Sequence, residues 1–169
     1  MNSAFTAEMW RSIFPEIGLL ILALGLLMLD LLWLNKPQLR AQWLGWITSI
    51  GILVIMGIAA GFSLPQGQGS VEWGGMLRFD AAGFVFRMIF MSAAALTALF
   101  ASQFEALKKR GEFFALLLIS TLGMNLMASA ADLILLFLAI ETTSIPLYVM
   151  AGFLTRDDRS VEAGIKYFL

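Results

Sequence analysis

The chain is predicted to be an all-α protein, a polytopic bundle of transmembrane helices, on three observations. Five apolar runs each approach the roughly 20 residues that a helix needs to cross a hydrocarbon core. The composition is 60% hydrophobic and 14% charged with a mean hydropathy of +0.85, against roughly 25% charged in an ordinary soluble domain. The charges that remain collect mainly between the runs rather than inside them.

The first run covers 13–34. Pro15 suits a first helical turn, where its missing N–H is not needed, and Glu16 beside it suits the positive end of the helix dipole. The segment before it has acidic Glu8 and no basic n-region, and the run is long for a signal peptide, so it is expected to stay as a span. The second run covers 43–62. The break that follows, 63–80, contains Pro65, several glycines and Val71-Glu72-Trp73, and reads as a short hairpin or interfacial loop with Trp73 at headgroup level. The third run covers 81–102. Arg87 shares a helix face with Asp80, which predicts a snorkelling arginine and an ion pair near the interface. Met88 and Met91 read as adaptable packing. In the fourth run, 113–131, Asn125 and Ser129 are placed to make interhelical hydrogen bonds. Asp132 reads as the N-cap of the fifth run, 132–153. A sixth helix begins at Ser160 and reaches Leu169, where ten residues at about 1.5 Å each cover about half the hydrocarbon thickness. The expectation is a single membrane domain over 1–169, truncated within the sixth helix.

The loops separate by charge. Lys36 and Arg40, then Lys108, Lys109 and Arg110, then Arg156 and Arg159 lie in the first, third and fifth loops. The amino-terminal segment and the second and fourth loops offer Arg11 and Arg78. Counting Lys and Arg near the span ends places the odd loops in the cytoplasm and the amino terminus outside. A formal net charge of -1 gives no footprint for nucleic acid. The chain has neither cysteine nor histidine, hence no thiolate or imidazole for zinc, haem, copper or an iron-sulfur cluster. No cofactor is expected on this chain, and redox chemistry is expected on other subunits.

Glu141 is the residue that chemistry must explain, because it sits in the middle of the fifth run with no other charge after Asp132. A carboxylate at the bilayer centre is unfavourable by about 2.5 to 3.5 kcal/mol on insertion scales, and persists where it has a partner, water or a task. Pro146 removes a backbone donor and crowds the carbonyl of Thr142, so a kink is expected. Thr142, Thr143 and Ser144 beside that freed carbonyl would make a polar, hydrated cluster; a packing kink satisfied by the same hydroxyls is the plainer alternative. Lys166, on the sixth helix, is the candidate partner of Glu141. Helix counting sets the two at different depths, so water between them is expected rather than direct contact, and snorkelling of Lys166 is the competing reading. If the two communicate, burial and proximity act oppositely on each, and a change in separation would switch protonation.

Four segments together carry a resemblance: Phe14-Pro15-Glu16-Ile17, Arg78-Phe79-Asp80, Glu141-Thr142-Thr143-Ser144-Ile145-Pro146-Leu147-Tyr148, and Arg159-Ser160-Val161-Glu162-Ala163-Gly164-Ile165-Lys166-Tyr167-Phe168. In these the chain resembles subunit N of NADH-quinone oxidoreductase, respiratory complex I. The resemblance implies an antiporter-like membrane subunit of about fourteen helices in two inverted repeats, set in the inner cell membrane. It implies that Glu141 and Lys166 belong to a charged proton-translocating axis at mid-membrane. Thr142, Thr143, Ser144, Pro146 and Tyr148 are expected in support, although Thr142 and Thr143 stand where related chains often have apolar or different small residues. It also implies as partners the other membrane and peripheral subunits, with FMN and iron-sulfur clusters on the peripheral arm and quinone bound elsewhere in the complex. A subunit of a multisubunit cation/proton antiporter or of a membrane-bound hydrogenase would share the glutamate and proline pattern. A scaffold that conducts nothing is the reading from a different class.

Overall fold

The computed structural model describes residues 7–32, 37–62, 64–65 and 69–169, without the side chains of 7–8 and 37–42. The end expected for the first span, Lys36 and the Arg40 side chain lie outside them. Among the described residues six helices follow in order: α1 Ala7–Leu32, α2 Pro37–Phe62, α3 Ala81–Ala101, α4 Gly111–Ser129, α5 Leu133–Ala151 and α6 Asp158–Phe168. The first five contain stretches long and apolar enough to span a membrane, and the chain is a multi-pass membrane protein.

The expected runs are helices, with shifted ends. α1 begins at Ala7, so Pro15 lies within the helix and not in its first turn. The turn before the apolar run is polar and falls below a hydropathy threshold although its backbone is helical. α6 starts at Asp158, capped by Asp157, whose side chain accepts from Arg159 N at 3.2 Å. Ser160, expected at the helix start, instead joins two elements: its hydroxyl donates to Ala151 O at 3.1 Å and accepts from Leu154 N at 3.2 Å.

α4 is the centre of the bundle, packed against α1, α3 and α5. One apolar cluster joins Leu19 and Ala23 of α1, Ile52 of α2, Met91, Ala94 and Ala95 of α3, and Leu118 of α4. A second joins Leu26, Leu44, Ala98, Ala101, Phe113, Phe114 and Leu117 towards the other end of α4. Small residues set the registers. A Cβ on Gly111 would lie 2.5 Å from Asp30 Cβ, fixing α1 against α4; one on Gly83 would lie 3.1 Å from Ala128 O, fixing α3 against α4. One on Gly123 would lie 2.7 Å from Thr143 N, so α4 and α5 meet backbone to backbone.

The break between α2 and α3 contains an antiparallel hairpin, β1 Ser70–Glu72 and β2 Leu77–Phe79, in register Ser70↔Phe79. Leu77 and Phe79 are buried and Arg78 exposed, the alternation of a half-buried strand. Its turn places Gly74 and Gly75 at φ 70° and 97°, a region that glycine enters without penalty. Trp73 Nε1 donates to Met9 O at 3.1 Å and to Ser12 Oγ at 3.2 Å, tying the hairpin to the start of α1. Ala131 N donates to Met76 O at 2.8 Å, tying it also to the α4–α5 connection. In the connection between α3 and α4, hydrogen bonding from Lys108 holds the exposed Glu105 carboxyl below the usual range.

Candidate functional site

Glu141 lies about 12 Å along α5 from its first residue, close to the helix midpoint. Ala139, Thr143 and Pro146 form the buried stripe of that helix, set against α4. Glu141 falls between these positions and is exposed, on a face it shares with exposed Leu138 and Ile145. The carboxylate therefore points away from α4, in apolar company.

α5 continues as one helix across Pro146. The three hydroxyls expected to cluster at the freed Thr142 carbonyl each turn back instead to a carbonyl four residues earlier. Thr142 donates to Leu138 O at 2.7 Å, Thr143 to Ala139 O at 2.8 Å and Ser144 to Ile140 O at 2.8 Å. Such back-bonding satisfies a hydroxyl inside an apolar helix without a second element. Tyr148 packs edge-on against Tyr167 and Phe168, with ring centroids 5.3 and 5.5 Å away, and so braces α6.

Lys166 is exposed on α6, and its Nζ pairs with Glu162 Oε1 one turn back at 2.5 Å. The α5–α6 crossing explains why it does not meet Glu141. Gly152 and Gly164 face each other, since a Cβ on Gly164 would lie 2.9 Å from Gly152 Cα. Two residues beyond Gly164, Lys166 is level with Met150, nine residues from Glu141 and about 13 Å away along the axis.

A different charged pair occupies the interior. Glu16 and Arg87 are 3% and 2% exposed, and Arg87 Nε lies 3.2 Å from Glu16 Oε1. Arg87 Nη1 donates to Ser12 O at 2.8 Å. This corrects two expectations: Glu16 is not a first-turn dipole residue, and Arg87 neither snorkels nor pairs with Asp80. Asp80 caps α3 by accepting from Gly83 N at 2.7 Å. The sequence reading missed the pair, and the one signal that could have found it is spacing: Glu16 precedes Leu19 and Ala23 by three and seven residues, and Arg87 precedes Met91 and Ala94 by four and seven. Both charges stand on the inward stripe of their helices.

Two further expectations are corrected. Asp132 holds the N-cap position of α5 but makes no side-chain cap bond. The Asn125 amide makes no hydrogen bond among the described residues, and Ser129 Oγ donates to the Asn125 carbonyl of its own helix. Also among the described residues, no group of three or more acidic side chains is placed to hold a metal ion.

Comparison with known proteins agrees with this architecture. Residues 130–169, which contain Glu141 and Lys166, match the family model described as NADH:quinone oxidoreductase/Mrp antiporter, TM. The chain is 36% identical over 157 residues to NADH-quinone oxidoreductase subunit N of Desulfovibrio desulfuricans, covering 92% of this chain and 30% of that protein. It is 37% identical to subunit N 1 of Roseiflexus castenholzii, covering 93% and 34%, and 36% identical to subunit N of Trichlorobacter lovleyi, covering 93% and 31%. The chain thus spans about a third of the length of these curated relatives. With identity sustained along nearly all of its length and the helical membrane architecture to match, the chain belongs to the antiporter-like membrane subunits of the NADH-quinone oxidoreductase subunit N family.

Proposed function

We propose that this chain is part of a proton-translocating subunit of an NADH:quinone oxidoreductase, in which Glu141 and Lys166 hold and pass protons across the middle of the membrane. The observation that carries the reading is Glu141 itself. It is a carboxylate near the midpoint of a spanning helix, on a face whose neighbouring side chains are apolar. Such a group facing hydrocarbon is strongly unfavourable. The reading therefore requires that this face be covered by further helices of the subunit, and the relatives, about three times as long, supply the length for them.

The gap of about 13 Å between the levels of Glu141 and Lys166 suits transfer through water rather than a fixed salt bridge. Glu162, already paired with Lys166, offers a competing acceptor, so the ammonium can exchange partners as its surroundings change. The chain does no redox chemistry in this proposal. FMN and iron-sulfur clusters would sit on peripheral subunits, quinone at another site of the complex, and the coupling would run through contacts between subunits. The orientation proposed puts the amino terminus outside. It is supported by the groove that Arg110 and Arg156 line together, which brings the basic third and fifth loops to one end of the bundle.

A second reading, a subunit of a cation/proton antiporter, is favoured by the matched family model, whose description covers both. NADH-dependent quinone reduction by the purified assembly supports the first; sodium-dependent proton exchange without electron transfer supports the second. In the assembled complex reconstituted in vesicles, Glu141→Gln and Lys166→Met are each expected to lower proton translocation at least about tenfold, an effect of about 1.4 kcal/mol. Unchanged translocation by the doubly substituted, fully assembled complex would establish a scaffold instead.

A further inference from the structure

The Glu16–Arg87 pair extends the apolar cluster of α1, α3 and α4 by one more layer. Leu118 of α4 lies in that cluster with Leu19 and Met91, and Asn125 is two helical turns beyond Leu118 on the same face. Two registers place Asn125 at the level of the pair. Counting fourteen residues back along α1 from Asp30 and fourteen forward along α4 from Gly111 reaches Glu16 and Asn125. Counting four forward from Gly83 and four back from Ala128 reaches Arg87 and Met124, the neighbour of Asn125. Glu16, Arg87 and Asn125 thus form one polar layer on three helices, and Asn125 is 0% exposed.

This layer has more polar atoms than partners. The ion pair at 3.2 Å is not aligned as a hydrogen bond. Among the described residues both Glu16 oxygens, Nε and Nη2 of Arg87, and both amide atoms of Asn125 lack hydrogen-bond partners. Six such atoms in one buried layer stand far outside ordinary practice, since the great majority of buried polar atoms are paired with protein or ordered water. Leaving such a group unpaired is destabilising, whereas one internal water typically makes about three hydrogen bonds to such groups. The layer also connects outward: Arg87 holds Ser12 O, and Ser12 Oγ accepts from Trp73 of the hairpin.

We propose that Glu16, Arg87 and Asn125 form an internal water-binding site, linked through Ser12 to the Trp73 hairpin and separate from the Glu141–Lys166 axis. Its ligand is ordered water bridging the carboxylate, the guanidinium and the amide. The site keeps a charged pair solvated inside the bundle and ties the hairpin to that interior. It does not depend on the proposed transport role, because its tests read density and stability rather than proton movement.

The test uses the full-length subunit in its assembled complex. A high-resolution cryo-EM map of the unsubstituted complex is expected to hold discrete water density within hydrogen-bond distance of Glu16, Arg87 and Asn125. Asn125→Leu keeps the shape, removes the amide and is expected to lose that density and lower the midpoint of thermal inactivation. Asn125→Ser, which keeps a polar anchor, is expected to retain both. A dry site gives the opposite sign, because replacing an unpaired buried amide by an apolar isostere is neutral or stabilising. Absence of density in the unsubstituted complex, or a midpoint that Asn125→Leu leaves unchanged or raises, overturns the proposal.

Discussion

Removing either charge of the Glu16–Arg87 pair leaves the other buried, because both side chains are almost wholly enclosed within the bundle. Breaking a buried pair from one side typically costs about 3–5 kcal/mol, most of it the uncompensated charge. Glu16→Gln and Arg87→Met are therefore each expected to destabilise the full-length subunit by about that amount in denaturant unfolding. The double variant should lose less than the sum, with a coupling of about 0.5–3 kcal/mol; strict additivity would mean that the two do not interact. Glu141 was legible in the sequence because its run holds no other charge after Asp132. The interior pair was not, because Pro15 followed by Glu16 imitates a helix start, and an arginine seven residues from an aspartate imitates an interfacial pair. Only the inward stripe of apolar residues, continued through Glu16 and Arg87, separates the two readings.

The contact between α5 and α6 depends on which glycine gains a side chain. A Cβ on Gly164 would come within 2.9 Å of Gly152 Cα, whereas a Cβ on Gly152 would find Gly164 Cα at 3.5 Å, an ordinary contact. Gly164→Ala is expected to push α6 from α5 at a cost of about 1–3 kcal/mol. It would also separate Tyr148 from Tyr167, and Gly152→Ala is expected to be tolerated. A disulfide cross-linking assay between cysteines introduced at Tyr148 and Tyr167 measures this: Gly164→Ala should slow it and Gly152→Ala should not. At the hairpin, Trp73→Phe keeps the ring but removes the N–H that reaches Met9 O and Ser12 Oγ. The loss should be about 0.5–1.5 kcal/mol, read as faster proteolysis of the hairpin; an unchanged rate would mean those bonds do not hold it. The spans were legible because hydropathy reports burial in lipid directly. Their ends were not, since the polar first turns of α1 and α6 are helical, and hydropathy registers neither backbone bonding nor the Asp157 cap of α6.

At the scale of the whole molecule, most of the outer surface of α1, α2, α3 and α5 is apolar, and few side chains of α5 are buried. That pattern distinguishes a membrane bundle, but it does not state which end faces the cytoplasm. The excess of Lys and Arg in the odd loops supports the orientation proposed above, with those loops in the cytoplasm, and the fold adds a consistency the sequence could not supply. The hairpin, the start of α1 and the α4–α5 connection are hydrogen-bonded together at one end. The basic loops around Arg110 and Arg156 meet at the other end. Among the described residues, each end thus takes its loops from one charge class. The chain contains no cysteine, so single cysteines can be placed in a cysteine-free background of the full-length subunit without removing anything from this region. Met76→Cys, exposed on the hairpin, is expected to react with a membrane-impermeant maleimide in intact cells. Lys109→Cys, exposed in the basic loop, should react only after the membrane is permeabilised. The reverse pattern would invert the bundle, and with it the direction in which α5 carries Glu141 through the membrane.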